Sequence, residues 1–452
     1  MRLHFVAIGG AAMHNLAIAL KNKGETITGS DDEIFDPART RLSEHGLLPD
    51  SIGWHTERIT KELDAVILGM HARADNPELI KAKEMGIRVY SYPEYLYNQT
   101  ENKTRVVIGG SHGKTTVTSM ILFVLKKMQM YFDYMVGAQI EGFDTMVGLS
   151  ENSRIAIFEG DEYLTSPIDP RPKFHVYQPH IAVVTGIAWD HINVFPTFEN
   201  YVDQFSVFSR KIERDGKFIY FEADENLKKI AENLRDDLTA IPYSEHPSHI
   251  LEGKTWLETK YGNFPLKIFG KHNLQNIQAA HIVCRQLGIV DKDFYSAISE
   301  FKGAAKRLQI LNETDDCTIF QDFAHSPSKL KATVSAVKEQ YPNRKLTACM
   351  ELHTFSSLTA DFLPEYKDSM LDADNAFVYY NPKTIEHKHL DAISPEQVAE
   401  AFGGKNIEIF TDSAKLVQKL HDIKYNHHNL LMMSSGNFDG VNIKALALEI
   451  LV

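Results

Sequence analysis

Cysteine is scarce in this chain: Cys284, Cys317 and Cys349 are the only three in 452 residues. They are far apart, odd in number and without metal-ligand spacing. That excludes a disulfide framework and a thiolate zinc site and fits a reducing compartment. No uninterrupted apolar run reaches the ~20 residues of a membrane span, so no transmembrane helix is expected. Positive charge is in deficit, with 48 Lys and Arg against 60 Asp and Glu and a formal net charge of -12. Such a balance disfavours non-specific attachment to nucleic acid or to an anionic membrane, and neither is expected as a partner. It leaves room for a phosphorylated substrate, because a local cluster of Gly and Lys can hold phosphate on an acidic protein. The opening segment also lacks the marks of a secretory leader. His4, the Gly9-Gly10 pair, His14 and Asn15 interrupt the apolar stretch after Arg2, and no small-residue cleavage site follows. A strand, tight turn and helix are expected there, in a cytoplasmic protein.

What is present is ordinary globular composition, 43% hydrophobic and 24% charged. Short apolar runs alternate with helical patterns, which implies parallel sheets covered by helices and an α/β fold. In the first hundred residues, strands are expected at Leu3–Ile8, Glu25–Gly29, Ala65–Leu68 and Ile87–Tyr90, and helices at Ala12–Lys23 and Asn76–Met85. The polar stretch Asn98–Lys103 marks a boundary before the buried strand Arg105–Gly109. A mixed block follows to about residue 305, with a loop-rich stretch at Glu159–Pro179 and a helix at Asn273–Leu287. From Cys317 the alternation resumes, with strands at Thr318–Phe320, Leu346–Met350, Ala376–Tyr380, Ile407–Phe410 and Leu430–Met433, and helices at Ser328–Gln340 and Ser413–His421. Three domains are therefore expected, at 1–100, 101–305 and 306–452.

The strongest local signal is Gly110-Ser111-His112-Gly113-Lys114-Thr115-Thr116, between the strand Arg105–Gly109 and a helix expected at Val117–Lys127. Glycines let backbone N–H groups approach phosphate oxygens, and the helix N-terminus adds positive potential. Lys114 is placed to reach the β- and γ-phosphates of ATP and Thr115 to ligate Mg²⁺. The apolar strand Ile155–Phe158 ends in Glu159-Gly160-Asp161-Glu162, a crowd of carboxylates that a cation would relieve. Asp190-His191 follows the strand Ile181–Thr185, where an imidazole could serve a metal or reacting group, although such a pair is more often structural. Asn273 and Asn276 open a helix with two amides on one face, suited to an adenine edge, with N-capping by Asn273 as the alternative. Arg307 is a candidate for a γ-phosphate. Asp322 is a candidate for a ribose hydroxyl or, equally, a turn. Gly9-Gly10-Ala11-Ala12-Met13 and Ser30-Asp31 occupy the places where a doubly wound fold holds a nucleotide, though the full glycine fingerprint is missing.

Taken in order, Gly110 to Thr116, Glu159 to Glu162, Asp190-His191, Gly270 to Asn276 and Asp322 to Pro327 resemble the motifs of the Mur ligases, over essentially the whole chain. The resemblance implies three α/β domains: an N-terminal Rossmann-like UDP-binding domain, a central P-loop-type ATPase and a C-terminal Rossmann-like domain. It also implies ATP and Mg²⁺ as cofactors, UDP-N-acetylmuramate as one substrate, and an amide formed through an acyl-phosphate. Residues implied by position are Lys114, His191 and Arg307 for catalysis; Gly110 to Thr116, Asn273, Asn276, Arg307 and Asp322 for ATP; and Thr115, Glu159 and His191 for metal. Gly9 to Met13, Ser30 and Asp31 are implied for the UDP-sugar, and His325 and His353 for the acceptor. A hinge is expected near Gly303. Within the family, the N-terminal motif is similar to the branch holding the L-alanine-adding ligases and the murein peptide ligases. Pro172-Lys173-Phe174, Phe323 and Met433 to Gly440 favour the second, whose acceptor is the tripeptide L-alanyl-γ-D-glutamyl-meso-diaminopimelate. Gln321 and Ser326 depart from the family pattern. So does Glu351 to Ser357, which holds His353 and hydroxyls where both relatives place an arginine. A nucleotide-binding regulator that has lost ligation is the rival from another class; intact Lys114, Glu159 and His191 speak against it.

Overall fold

The computed structural model describes residues 1–189, 192–251, 253–403 and 406–451. Among these residues, three larger sheets carry the fold, joined by two small antiparallel ones.

The N-terminal sheet is parallel, in the order Thr26–Ser30, Arg2–Val6, Ala65–Leu68, Val89–Ser91. Its first strand stops at Val6, two residues short of the expected end. Ala7 turns into the left-handed region (φ +65°), and Ala7 and Ile8 both donate their N–H to the Ser30 carbonyl. The chain then enters the helix Ala11–Asn22 directly. A helix at Tyr92–Gln99, in part the polar stretch taken for a boundary, was not expected. Ser91 and Glu94 close a capping box at its start, which fixes its entry.

The central sheet runs Thr239–Tyr243, Lys217–Phe221, Ile181–Val184, Thr104–Gly109, Ile155–Glu159, Asp133–Met135, Val147–Gly148, with the last pair antiparallel. Strand Thr104–Gly109 is flanked by Ile181–Val184 and Ile155–Glu159, both parallel to it. The phosphate loop, the acidic motif and the segment after Val184 therefore emerge at the same edge, the C-terminal ends of the strands, where open α/β sheets place their ligands. The helix after the loop is Lys114–Lys127, three residues longer than expected. The stretch 159–179 is less irregular than its composition suggests: it holds the strand pair Leu164–Ser166 and Asp169–Pro172 and a 3₁₀ turn at Lys173–His175.

The C-terminal sheet runs Gln309–Glu313, Thr318–Asp322, His428–Met433, Lys345–Leu352, Asn375–Tyr380, Ile407–Phe410, parallel except for its first pair. Successive side chains alternate between two apolar layers. Phe320, Met350, Val378 and Met433 face one, and Ile319, Cys349, Phe377 and Met432 the other. A sheet covered on both faces explains why these strands read as unbroken apolar runs. The edge strand Gln309–Glu313 and the meander Ser248–Leu251, Lys254–Thr259, Gly262–Pro265 were not expected; they are short and, apart from Thr255 and Leu257, largely unburied.

Contacts divide the chain into two compact units. One comprises Met1–Ile187, Glu199–Ser244 and Ala279–Ile289; the other comprises Ala188–Phe198, Glu245–Gln278 and Val290–Val452. The cysteines are free and buried. No helix among the described residues is long and apolar enough to cross a membrane.

Candidate functional site

In the first unit, the phosphate loop is held open by its own backbone. Gly110 (φ +124°) and Gly113 (φ +79°) are in the left-handed region that favours glycine, and a Cβ on Gly110 would lie 2.8 Å from the Thr185 nitrogen. Thr185 donates its hydroxyl to the carbonyls of Gly109 (3.2 Å) and His112, and Ser111 N–H donates to the Gly186 carbonyl (2.9 Å). The Ser111 hydroxyl meets Tyr201 OH at 2.9 Å. Thr185 was not singled out in the sequence, because a threonine at a strand end carries no motif of its own.

Charged partners line this loop. Lys114 Nζ donates to the Gly110 carbonyl (2.7 Å) and to Glu162 Oε2 (2.6 Å), a carboxylate with no solvent exposure. Burial works against the ammonium but is outweighed by Glu162, Asp161 and Glu159, which together hold Lys114 above the ordinary lysine range. The Thr115 hydroxyl donates to Glu159 Oε1 (2.8 Å), and Gly137 N–H donates to Glu159 Oε2 (2.7 Å). A carboxylate and a hydroxyl in contact, beside a phosphate loop, are the hard oxygen donors that suit Mg²⁺. Thr116 is buried in the first turn of the same helix. His191, expected as a further ligand, and Asp190 lie outside the described residues.

The nucleotide-like turn of the N-terminal sheet is equally tight. Gly9 N–H donates to Asp31 Oδ2 at 2.6 Å, while Gly10 precedes the helix that Ala11, Ala12 and Met13 open. Burial pushes the Asp31 carboxyl up to about 6, with Asp32 adding to the rise against the Gly9 N–H. Ser30 is fully buried, and its hydroxyl accepts from Arg58 Nη1 at 3.3 Å. Arg58 also donates to the Gly29 carbonyl (2.9 Å). Nothing in the sequence drew attention to Arg58, which stands in a short 3₁₀ turn.

In the second unit, Asn273 and Asn276 are both buried near the start of the helix Lys271–Gln286. Asn273 sits inside the first turn and donates Nδ2–H to the Phe269 carbonyl (2.8 Å), so N-capping does not describe it. The Arg307 guanidinium lies 4.5 Å from the Phe323 ring centroid and donates to the Lys306 carbonyl (3.3 Å). Its neighbours Lys306 and Leu308 have positive φ, as has Gly303. Asp322 braces this turn: its carboxylate accepts the N–H groups of Leu308 and Ala324, each at 2.6 Å. Burial pushes the Asp322 carboxyl up against the opposing pull of Arg307.

His325 donates Nδ1–H to the Phe323 carbonyl (2.9 Å). His353 is partly exposed, with Nδ1 3.7 Å from Glu351 Oε1. Glu351 is buried and accepts from the Ser434 hydroxyl and from Phe438 N–H (2.8 Å). Ser356 and Ser357 are buried, and the Ser357 hydroxyl donates to the Thr354 carbonyl (3.1 Å), which folds the loop onto itself.

Residues 2–104 match the Mur ligase family catalytic domain, 108–284 the Mur ligase middle domain, and 306–436 the Mur ligase glutamate ligase domain. A UDP-N-acetylmuramate–L-alanine ligase of Caldicellulosiruptor bescii is 31% identical over 83% of this chain and 82% of its own length. The fold is similar to that of the UDP-N-acetylmuramate-alanine ligase of Thermotoga maritima, at a TM-score of 0.71, 19% identity and coverage of 100% and 98% of the two chains. It is also similar to that of a murein peptide ligase of Psychrobacter arcticus, at a TM-score of 0.67, 21% identity and the same coverage. With its three-domain α/β architecture, its phosphate loop and matches along nearly its whole length, this chain belongs to the Mur ligase family, the ATP-dependent ligases that form amide bonds in peptidoglycan synthesis.

Proposed function

We propose that this chain uses ATP to activate the carboxylate of UDP-N-acetylmuramate and joins it to the amine of L-alanine. The observation that carries the activation half is the interlock of Lys114 with Glu162 and of Thr115 with Glu159 around an open glycine loop. A carboxylate oxygen attacks the γ-phosphorus, ADP departs, and the acceptor's neutral amine then displaces phosphate from the acyl carbon, losing one proton as the amide forms. Phosphoryl transfer of this kind is catalysed mainly by positioning and charge. Backbone N–H groups at 110–116 cradle the polyphosphate, and Lys114 shifts from Glu162 to its oxygens. Glu159 and Thr115 would hold Mg²⁺, which when bound offsets negative charge on the phosphates. His191 is proposed as a further ligand. Gly9 to Met13, Ser30 and Asp31 are proposed to hold the UDP-sugar; Asn273, Asn276, Arg307 and Asp322 the nucleotide; and His325 and His353 the acceptor. The domain limits proposed are 1–100, 101–305 and 306–452.

L-alanine as the acceptor is supported by the name of the Caldicellulosiruptor relative and of others like it. The tripeptide expected from Pro172 to Phe174 and Met433 to Gly440 draws less support from those names. One observation keeps it in view: Glu351 to Ser357 holds no arginine, and a lone alanine carboxylate close to the reacting amine calls for a tight fork of donors. A larger acceptor can draw its binding from remote groups. Phosphate release with UDP-N-acetylmuramate and saturating ATP, comparing the two acceptors, separates them. A higher specificity constant for the tripeptide overturns the L-alanine assignment, and turnover with neither overturns both.

A further inference from the structure

Pro172-Lys173-Phe174 has no part in the reaction as derived above, yet the fold brings its lysine to the acidic motif. Lys173 opens the 3₁₀ turn Lys173–His175, and its backbone is fixed on both sides. Its N–H donates to the Tyr163 carbonyl (3.0 Å), and the N–H of Phe174 donates to the Asp161 carbonyl (3.2 Å). Phe174 is fully buried, stacks on Phe208 at 4.6 Å and presses against Gly160, where a Cβ would lie 3.0 Å from its own. From this anchored position Lys173 Nζ donates to Asp161 Oδ2 at 2.6 Å, with the side chain 15% exposed.

The charges around the loop then sort into separate partnerships. Lys114 is engaged with Glu162, Lys173 with Asp161, and Glu159 with the neutral donors of Thr115 and Gly137. Within four residues, Glu159, Asp161 and Glu162 set three carboxylates against these two ammonium groups. Lys114 feels Asp161 as well as Glu162, and Lys173 feels Glu162 as well as Asp161, so each lysine lies within the field of the other's partner. Removing Lys173 would leave Asp161, whose side chain is 34% exposed, as a second carboxylate competing for Lys114.

We propose that Lys173 is a positioning residue of the ligation site, which by pairing with Asp161 leaves Lys114 a single carboxylate partner to exchange for the phosphates of ATP. This rests on the phosphate site assigned under the proposed function. The test uses the full chain with UDP-N-acetylmuramate, ATP and L-alanine or, if L-alanine is not turned over, the tripeptide. Lys173→Met is expected to raise KM for ATP about tenfold while KM for UDP-N-acetylmuramate stays near the parent's. The double variant Lys173→Met with Asp161→Asn, which removes the competing charge, is expected to bring KM for ATP back to within about threefold of the parent. Lys173→Arg keeps the pairing and the parent's KM. Thermal melting of each variant reads any loss of fold separately. An unchanged KM in Lys173→Met overturns the proposal, as does a double variant as impaired as the single one, which would mean that Lys173 acts on substrate directly or only braces the hairpin. Lys114→Ala, run alongside, separates the two layers. If it turns over like the parent, the phosphate site itself is misassigned and the Lys173 role falls with it. If it is inactive while Lys173→Met keeps the parent's KM, only the Lys173 role falls.

Discussion

The phosphate loop in the first unit and the loop Glu351 to Ser357 in the second are built on different terms. Around Gly110 to Thr116, Lys114 pairs with Glu162, Lys173 with Asp161, and Glu159 with fixed donors, and the glycines are where the backbone demands them. Around Glu351 to Ser357, the buried carboxylate is spent on Ser434 and Phe438, Ser356 and Ser357 are buried, and the His353 imidazole is partly exposed. The first arrangement suits chemistry shared across a family, since phosphates look the same to every member. The second is proposed to meet the acceptor, the substrate that differs between the relatives named above. Substitutions in the first loop should therefore stop turnover altogether, and those in the second should shift acceptor affinity alone.

The largest effect is expected at Lys114. Lys114→Ala should lower kcat about a thousandfold or more with the fold intact by circular dichroism, because a preorganised charge on the transferring phosphoryl group is lost. Glu159→Gln comes next. It keeps the shape and one acceptor oxygen but removes the charge, so the Mg²⁺ concentration for half-maximal rate should rise about ten- to a hundredfold, read by metal titration. A titration identical to the parent's would make the acidic motif structural.

A pH effect sharpens the comparison within the first unit. Asp31 is ionised above about 6 and protonated below it. If the carboxylate accepts from the UDP-sugar, KM for that substrate should climb as pH falls through 6 while KM for ATP does not follow. Asp31→Asn should abolish that pH dependence. The smallest effect belongs to the other loop: His353→Ala should raise the acceptor's KM by up to about fivefold, as expected for loss of one partly exposed hydrogen-bonding side chain, and leave ATP and Mg²⁺ dependence alone. A thousandfold loss of kcat there would erase the distinction between the two regions.

Much of this was legible in the sequence where one physical demand fixes several neighbouring residues. The loop at 110–116 needs glycines, a lysine and a hydroxyl at set spacing, and the strands Ala65–Leu68 and Ile407–Phe410 and the helix Ser413–His421 lie where periodicity placed them. What could not be read depends on partners distant in the chain. Thr185 matters because a parallel strand sets it against Gly109 and His112. Arg58 matters because it folds back on Ser30. Ser356 and Ser357 stand in a hydroxyl-rich stretch of the sequence, yet both are buried in the 3₁₀ turn Ser356–Leu358. The edge strand Gln309–Glu313 shows no apolar period because Ile310 is exposed and only Leu311 packs, partly buried, on the core.

The central claim is that the sugar's carboxylate takes the γ-phosphoryl group before the amide forms. UDP-N-acetylmuramate labelled with ¹⁸O in the lactyl carboxylate, turned over with ATP and the active acceptor, tests it by mass spectrometry of the released phosphate. One ¹⁸O per inorganic phosphate is the predicted result; unlabelled phosphate accompanying ADP, with or without amide product, or unlabelled pyrophosphate accompanying labelled AMP, would contradict it.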